Sequence, residues 1–586
     1  MATKCCFLQL VVVAALLLAS TVASTSSFVL RPSSSGSRRR FTFSTSTHNL
    51  NTYRKPLHRH GATTSLQLSP LSSIITNISG KISPQIRNSI LIGSAAALLF
   101  KNRSKFYPPN LPRPDPAFTE PLPDGSLGCP YLGNIGFFTN MGNAKTGSGE
   151  FYRYQASLAD GGNPQLFKYA PLGTPSVVIT GMANVKKVFN QEFKLINAGI
   201  LSDKMVESLG GESLVFVTDQ ERHQFLRRLV GQSMTPEQID KAMPALMESA
   251  TRMINTLKEG EDVEMERVVT AFTLDVAWRQ ILGLNLKDDE TETFNNAVND
   301  WIIGCFNPLW LFLPGKRFSK SGKAFKYLVS KIEDRLDEFE RNGPDGSTLS
   351  GMYFAKDEED PSKRLSKKDI ISNSLLLIFA GSETAASTLT VATLALGLHK
   401  DVFNKLKNEQ LAMMAKHEGK VMTREMLEKD CPYLDVVVKE VMRIKPLAIT
   451  GENRFAQETF VVDGKQVPKG YGVTFCPGVT HLLDPSLREE DNSHMDIVKG
   501  FKPERWLDDK TKPTDYIPFG VGPRYCLGVN LALAEMKVFL ALFARRVDFD
   551  LTNTTSDDVE WKNFSIIPKP KDGALVSVSS LSDANV

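Results

Sequence analysis

Acidic residues are missing from the opening stretch of this 586-residue chain: none precedes Asp115, while residues 1–105 hold thirteen lysines and arginines. The formal net charge of +4 therefore misleads. Without that stretch, 56 basic residues face 65 acidic ones, so the folded part carries no basic excess that would point to nucleic acid. Cysteine is sparse too. The seven (5, 6, 129, 305, 431, 476 and 526) are odd in number and scattered. No close pair suggests a zinc ribbon, and reduced thiols are the expectation. Neither N-terminal apolar run, 7–19 or 90–100, reaches the roughly 20 residues of a spanning helix. No internal repeat and no second break in composition occurs after about Ala117. With 42% apolar and 23% charged residues a large core can form. The expected fold is one large domain over 117–586, mainly α with small β-sheets, its strands confined to Leu166–Ile179 and Glu458–Phe475.

What is present at the N-terminus reads as a leader. Lys4, the apolar run 7–19 and small residues near Ala23 give 1–24 the layout of a secretory signal peptide. Residues 25–85 are rich in Ser, Thr and Arg, with Arg38, Arg39 and Arg40 together, as in a plastid transit peptide. The pair resembles the bipartite leaders of algae with complex plastids, diatoms among them. Residues 86–116 then offer a candidate membrane anchor: the run 90–100, three cations (Lys101, Arg103, Lys105), and a stiff linker of five prolines from Pro108 to Pro116. The expected setting is a plastid membrane, with the endoplasmic reticulum membrane as second choice.

One loop decides the chemistry. Residues 519–528 read Phe-Gly-Val-Gly-Pro-Arg-Tyr-Cys-Leu-Gly and lead into an apolar helix. Gly520, Gly522 and Gly528 allow sharp turns and close approach by a flat partner. A thiolate at Cys526 would face backbone N–H groups and the positive end of that helix. A dinucleotide-binding turn would need glycine at 525, where Tyr525 stands. The loop resembles the haem-binding signature of the cytochrome P-450 monooxygenases, matched at Phe519, Gly520, Gly522, Arg524, Cys526 and Gly528. The resemblance implies haem b with Cys526 as the iron ligand.

Three other segments carry the same resemblance. Ser366 to Asp369 has the form of a capping box that opens a helix to about Leu398. At its centre, Ala380, Gly381, Glu383 and Thr384 resemble the family's oxygen-activation motif. Gly381 permits a local opening there, and a hydroxyl beside a carboxylate makes a proton relay. Glu440 and Arg443 share one side of a helix, and with Arg505 of Phe501–Trp506 they resemble the family's structural Glu–Arg–Arg set. Candidate propionate ligands are Arg524, Arg227, His223 and Arg454. His223 stands where the family often has tryptophan, and it can still donate a hydrogen bond.

The resemblance implies a haem monooxygenase that inserts one atom of O2 into an apolar substrate, using electrons from a separate donor, ferredoxin or a flavoprotein reductase. Leu122–Gly133 resembles the segment leading into family members that act on sterols, retinoids and other terpenoids, which makes a terpenoid, carotenoid or sterol-like lipid the expected substrate. Ile196–Leu214 and Leu447–Thr450 are candidate pocket walls. Two alternatives remain: a hydroperoxide-rearranging or dehydrating member, against which Thr384 counts, and a non-enzymatic haem sensor, which needs no relay.

Overall fold

The computed structural model describes residues 113–128, 133–134, 149–199, 211–306, 316–418, 420–447, 453–487, 492–562 and 567–582, all within one unit of the chain. The leader and the anchor run lie outside the described residues. So do 129–132 of the lead-in segment and most of both candidate pocket walls.

Helices dominate. In chain order they are α1 (Glu150–Ser157), α2 (Met182–Phe189), α3 (Gln220–Gly231), α4 (Pro236–Ile254), α5 (Met265–Val276), α6 (Asp288–Phe306) and α7 (Lys316–Asn342). After them come α8 (Thr348–Phe354), α9 (Lys367–Leu398), α10 (Lys400–Lys416), α11 (Arg424–Lys429), α12 (Pro432–Ile444), α13 (Pro477–Leu482) and α14 (Val529–Arg546).

The expected capping box starts α9. Ser366 Oγ accepts from the Asp369 N–H at 3.1 Å, and the Asp369 carboxylate accepts from the Ser366 N–H at 3.0 Å. Arg222 of α3 pairs with the same carboxylate and ties the two helix starts together. By length and composition α9 could cross a membrane, but 67% of its most apolar window is buried inside the protein. It is a core helix. It packs on α5, α12 and α14, where Leu389, Val437 and Phe539 share one apolar cluster.

The β-structure exceeds the expectation. Leu166–Ile179 is a hairpin of β1 (Leu166–Tyr169) and β2 (Ser176–Ile179). Three-residue β3 (Ile196–Ala198) and β5 (Arg454–Ala456) join it, with β8 (Gly472–Phe475), in a sheet ordered β1-β2-β8-β5-β3. Only the β2–β8 pairing in that sheet is parallel. β4 (Asp262–Glu264), β9 (Val547–Leu551) and β10 (Leu575–Leu581) form a second sheet, and β6 (Phe460–Val462) with β7 (Lys465–Val467) a third. Confining strands to two segments was therefore wrong. Strands of three residues carry too little alternation to read, and β9 follows α14 directly, so its pattern merges with the helix that precedes it.

Candidate functional site: a thiolate loop with a cationic cradle

The thiolate loop is built by its glycines. Gly520 and Gly522 have φ of +76° and +74°, a region that side-chain-bearing residues enter at a cost. A Cβ on Gly522 would also come within 2.5 Å of the Phe189 carbonyl oxygen, at the end of α2. Gly528 differs: its φ is −87° and a Cβ there would meet nothing within 4 Å. Neither strain nor packing demands glycine at 528, and open space lies beside it. The Cys526 N–H donates to the Phe519 carbonyl at 3.0 Å. Two residues beyond Cys526, Gly528 caps α14. The half-buried cysteine is thus held at the positive end of a helix.

Around this loop the structure gathers every candidate propionate ligand. Arg227 on α3 donates to the Tyr525 carbonyl at 2.7 Å, one residue from Cys526. Arg524 and Arg454, 70 positions apart in sequence, share one acceptor. Glu192 takes the Arg454 Nε–H at 2.6 Å and the Arg524 Nε–H at 2.7 Å. His223 is buried, and its Nδ1 has no hydrogen-bond partner. Burial, then the charges of Arg524, Arg227 and Arg454, push its pKa down to about 4. It is a neutral imidazole among three guanidiniums. Sequence reasoning missed Glu192. It follows Phe189-Asn-Gln and looks like any polar turn residue, 262 and 332 positions from its partners.

The central motif of α9 forms without a break. The helix runs unbroken through Gly381, so the expected local opening is absent. The backbone N–H···O=C ladder is stronger than the small penalty glycine brings. The Thr384 hydroxyl turns back along the helix and donates to the Ala380 carbonyl one turn earlier at 2.7 Å. Glu383 does not run freely to solvent. It pairs at 2.9 Å with Lys569, which also reaches Glu266 on α5 at 3.2 Å. Burial alone would push the Lys569 ammonium down, but Glu383 and Glu266 outweigh it and hold its pKa above the usual value. Lys569 was the second residue missed, for the same reason: it lies 186 positions from its partner.

Glu440 anchors the frame. Arg443 grips it with Nε and Nη2 at 2.8 and 2.9 Å; Arg505 Nε and Trp506 Nε1 each donate at 2.9 Å, and the Lys502 N–H at 3.1 Å. Burial pushes the carboxyl pKa up, but Arg443, Arg505 and the Lys502 N–H more than offset this and hold it below the ordinary value. Separately, a cavity of about 1050 Å³ opens between Arg153, Lys445, Met495 and Trp561. It includes none of the residues above, so it is not where this site would hold a substrate.

The cytochrome P450 family model matches residues 127–575, from the lead-in segment to β10. The chain belongs to the cytochrome P450 family. Cytochrome P450 26A1 of Xenopus laevis is 26% identical over 455 residues, covering 76% of this chain and 88% of the relative. Human cytochrome P450 26B1 is 26% identical over 480 residues, 79% of this chain and 88% of that protein. A solved structure titled retinoic acid bound cyanobacterial CYP120A1 superposes with a TM-score of 0.65 at 26% identity. It covers 79% of this chain and 100% of that one.

This P450 is a haem-thiolate monooxygenase, an enzyme class that takes an apolar substrate, O2 and electrons from a redox partner. The residues present fit haem. Gly528 leaves open space beside Cys526, His223 Nδ1 is buried and unpartnered, and the three guanidiniums of Arg227, Arg454 and Arg524 gather beside it.

Proposed function

We propose that Cys526 would supply the thiolate that ligates the iron of haem b, and that Arg227, Arg454, Arg524 and His223 would hold its propionates. One observation carries this reading: four groups suited to carboxylates converge on the Cys526 loop from α3, β5 and the loop itself. Haem held there supplies dioxygen activation, which a thiolate ligand favours by pushing electron density towards iron. Phe519, Gly520 and Gly528 would shape the loop to receive the cofactor, and Gly381 would keep α9 slim beside it. Thr384 and Glu383 manage protons. The Thr384 hydroxyl is committed to the Ala380 carbonyl, so delivering its proton begins with loss of that bond. Glu383 is held by Lys569 at 2.9 Å, which orients the carboxylate for proton transfer.

The substrate we propose is an apolar terpenoid-type lipid carrying a carboxylate or similar polar end, a retinoid or apocarotenoid. The similar structure bound to retinoic acid supports it. The N-terminal segments support a plastid membrane setting, and that setting favours ferredoxin as the separate electron donor. Expression of the chain from residue 106 onward, followed by a carbon-monoxide difference spectrum of the reduced protein, tests the ligand. A thiolate-type band that is lost in Cys526→Ala is expected; a band that survives the substitution overturns the assignment. Titration with retinoic acid, an apocarotenoid acid and a saturated fatty acid tests the substrate. A spectral shift with the fatty acid alone would overturn the terpenoid reading.

A further inference from the structure

The cavity of about 1050 Å³ that lies apart from the thiolate loop has a chemistry of its own. Its size is that of a small-molecule site. Arg153 reaches it from α1, and the Arg153 Nε is buried with no hydrogen-bond partner. Lys445, which ends α12, reaches it from a second element. The Lys445 Nζ stands 4.1 Å from the centre of the buried Trp561 ring, which fixes the amine at the cavity wall. Among the described residues no carboxylate pairs with either cation. Glu150, Asp496 and Asp557 also line the cavity, but Asp496 already accepts the Val498 and Lys499 N–H groups at 2.7 and 3.1 Å.

A buried guanidinium nitrogen without an acceptor is costly. Lys445 is in a similar position. Burial pushes its pKa down to about 7; Arg153 acts in the same direction, and Asp496 and Glu150 oppose both. The two cations are thus close enough to repel, and an anion that touched both would relieve the repulsion and the desolvation together. A carboxylate's two oxygens are matched by one guanidinium fork, whereas a tetrahedral oxyanion has oxygens left for a second cation on another element. We infer that this cavity binds a phosphate or sulfate ester, held by Arg153 and Lys445, at a site separate from the haem.

The lining also says what the ester carries. Leu483 and Val559 give the cavity an apolar side. Tyr154, in its wall, is 51% exposed, and Leu158, one turn along the same chain, is 60% exposed. An amphiphilic ester fits this surface, either a soluble phosphorylated molecule or a lipid headgroup. The site also borders the Glu440 frame: Arg443 donates to the His494 carbonyl at 2.6 Å and to the Met495 sulfur at 3.3 Å, and Met495 lines the cavity. Ligand bound there should raise the melting temperature of the loaded protein.

Calorimetric titration of the haem-loaded full chain tests the inference. The probes are sodium sulfate, glycerol 3-phosphate, and phosphatidylcholine vesicles with and without phosphatidic acid. Saturable binding is expected, weakened about tenfold or more in Arg153→Gln and in Lys445→Met, as for loss of one charge-assisted hydrogen bond. Sulfate keeps its charge between pH 6 and 8, so its affinity should fall across that range as Lys445 loses its proton. The groups facing Lys445 are Arg153 and Glu150 from α1, Asp496 and Lys499 from the 495–499 segment, and Asp557. Lys445→Arg keeps the charge and should bind sulfate with the pH dependence removed. Binding of glycerol 3-phosphate assigns a soluble ester; binding only to vesicles with phosphatidic acid assigns a headgroup. Equal affinity in wild type, Arg153→Gln and Lys445→Met overturns the inference, and so does no binding of any probe. The carbon-monoxide spectrum shows whether each variant is loaded, so failure of the haem reading is seen separately. If Lys445→Met does not fold, Arg153→Gln and Lys445→Arg carry the test.

Discussion

Glu440 shows how much one residue can carry in this fold. Five donors from two segments converge on a carboxylate that has no solvent exposure. Glu440→Gln keeps the shape but leaves Arg443 buried without its counter-charge. The expected cost is about 3–5 kcal/mol, read as a fall in urea midpoint with an unchanged slope. Trp506→Phe deletes only the 2.9 Å indole N–H bond and should cost about 1 kcal/mol. Near-equal losses would contradict the assignment of the stabilisation to the ion pairs. Residues of this kind divide by how far their partners lie in sequence. Cys526, Arg524 and their glycines sit within one ten-residue turn, and Glu440 and Arg443 within one helical turn, so a short window reveals them. Glu192 and Lys569 act on groups 332 and 186 positions away, and nothing in their neighbours marks them. The same blindness affected Glu383: its residue type was legible, but its partner was not.

Among the elements, α9 was readable at its two ends, where its boundaries are chemical. The capping box starts it and His399 closes it, the imidazole Nε2 within 2.8 Å of the Ile497 carbonyl. Its middle was not. Gly381 promised an opening that the structure lacks: the backbone ladder runs through it, and Ser382, Thr384 and Thr388 turn their hydroxyls to carbonyls one turn back. The nearest atom to a Cβ at 381 is Ile281 Cδ1 at 3.6 Å, an ordinary contact. Gly381→Ala should therefore stabilise the protein by roughly 0.5–1 kcal/mol, the helical preference of alanine over glycine. If the glycine keeps the distal side clear, the same variant should divert more reducing equivalents to peroxide per product formed. A melting temperature below wild type would mean that the backbone at 381 must depart from helix during folding or loading. The short strands were illegible for the opposite reason. β3, β4 and β5 hold three residues each, and their pairing is decided by distant neighbours rather than by their own pattern.

Across the whole molecule, buried titratable groups set the response to pH. His481 is buried with Nδ1 at 2.9 Å from the Arg443 carbonyl, while Nε2 accepts the Ile517 N–H at 3.0 Å. Both ring nitrogens are committed in the neutral form, and burial pushes its pKa down to about 4, as it does for His223. Unfolded, both would titrate at 6.5. The unfolded chain thus binds two more protons than the native state between pH 6.5 and 4, and stability falls as pH falls through that window. Glu535 on α14 acts in the other direction. Burial alone raises its carboxyl pKa from 4.5 to about 8, so the native state holds the extra proton, and stability rises as pH falls from 8 to 4.5. The two effects overlap between pH 6.5 and 4.5, where Glu535 conceals about half of the acid sensitivity of the histidines. Glu535→Gln removes that compensation without changing shape. The variant should match wild type near pH 4.5 and exceed it by a margin that grows about 1.4 kcal/mol per pH unit towards pH 8. Urea unfolding at half-unit steps across this range measures the margin. Parallel stability curves would show that Glu535 is ionised in the folded protein, and the helix that carries the thiolate loop would then hold a buried charge.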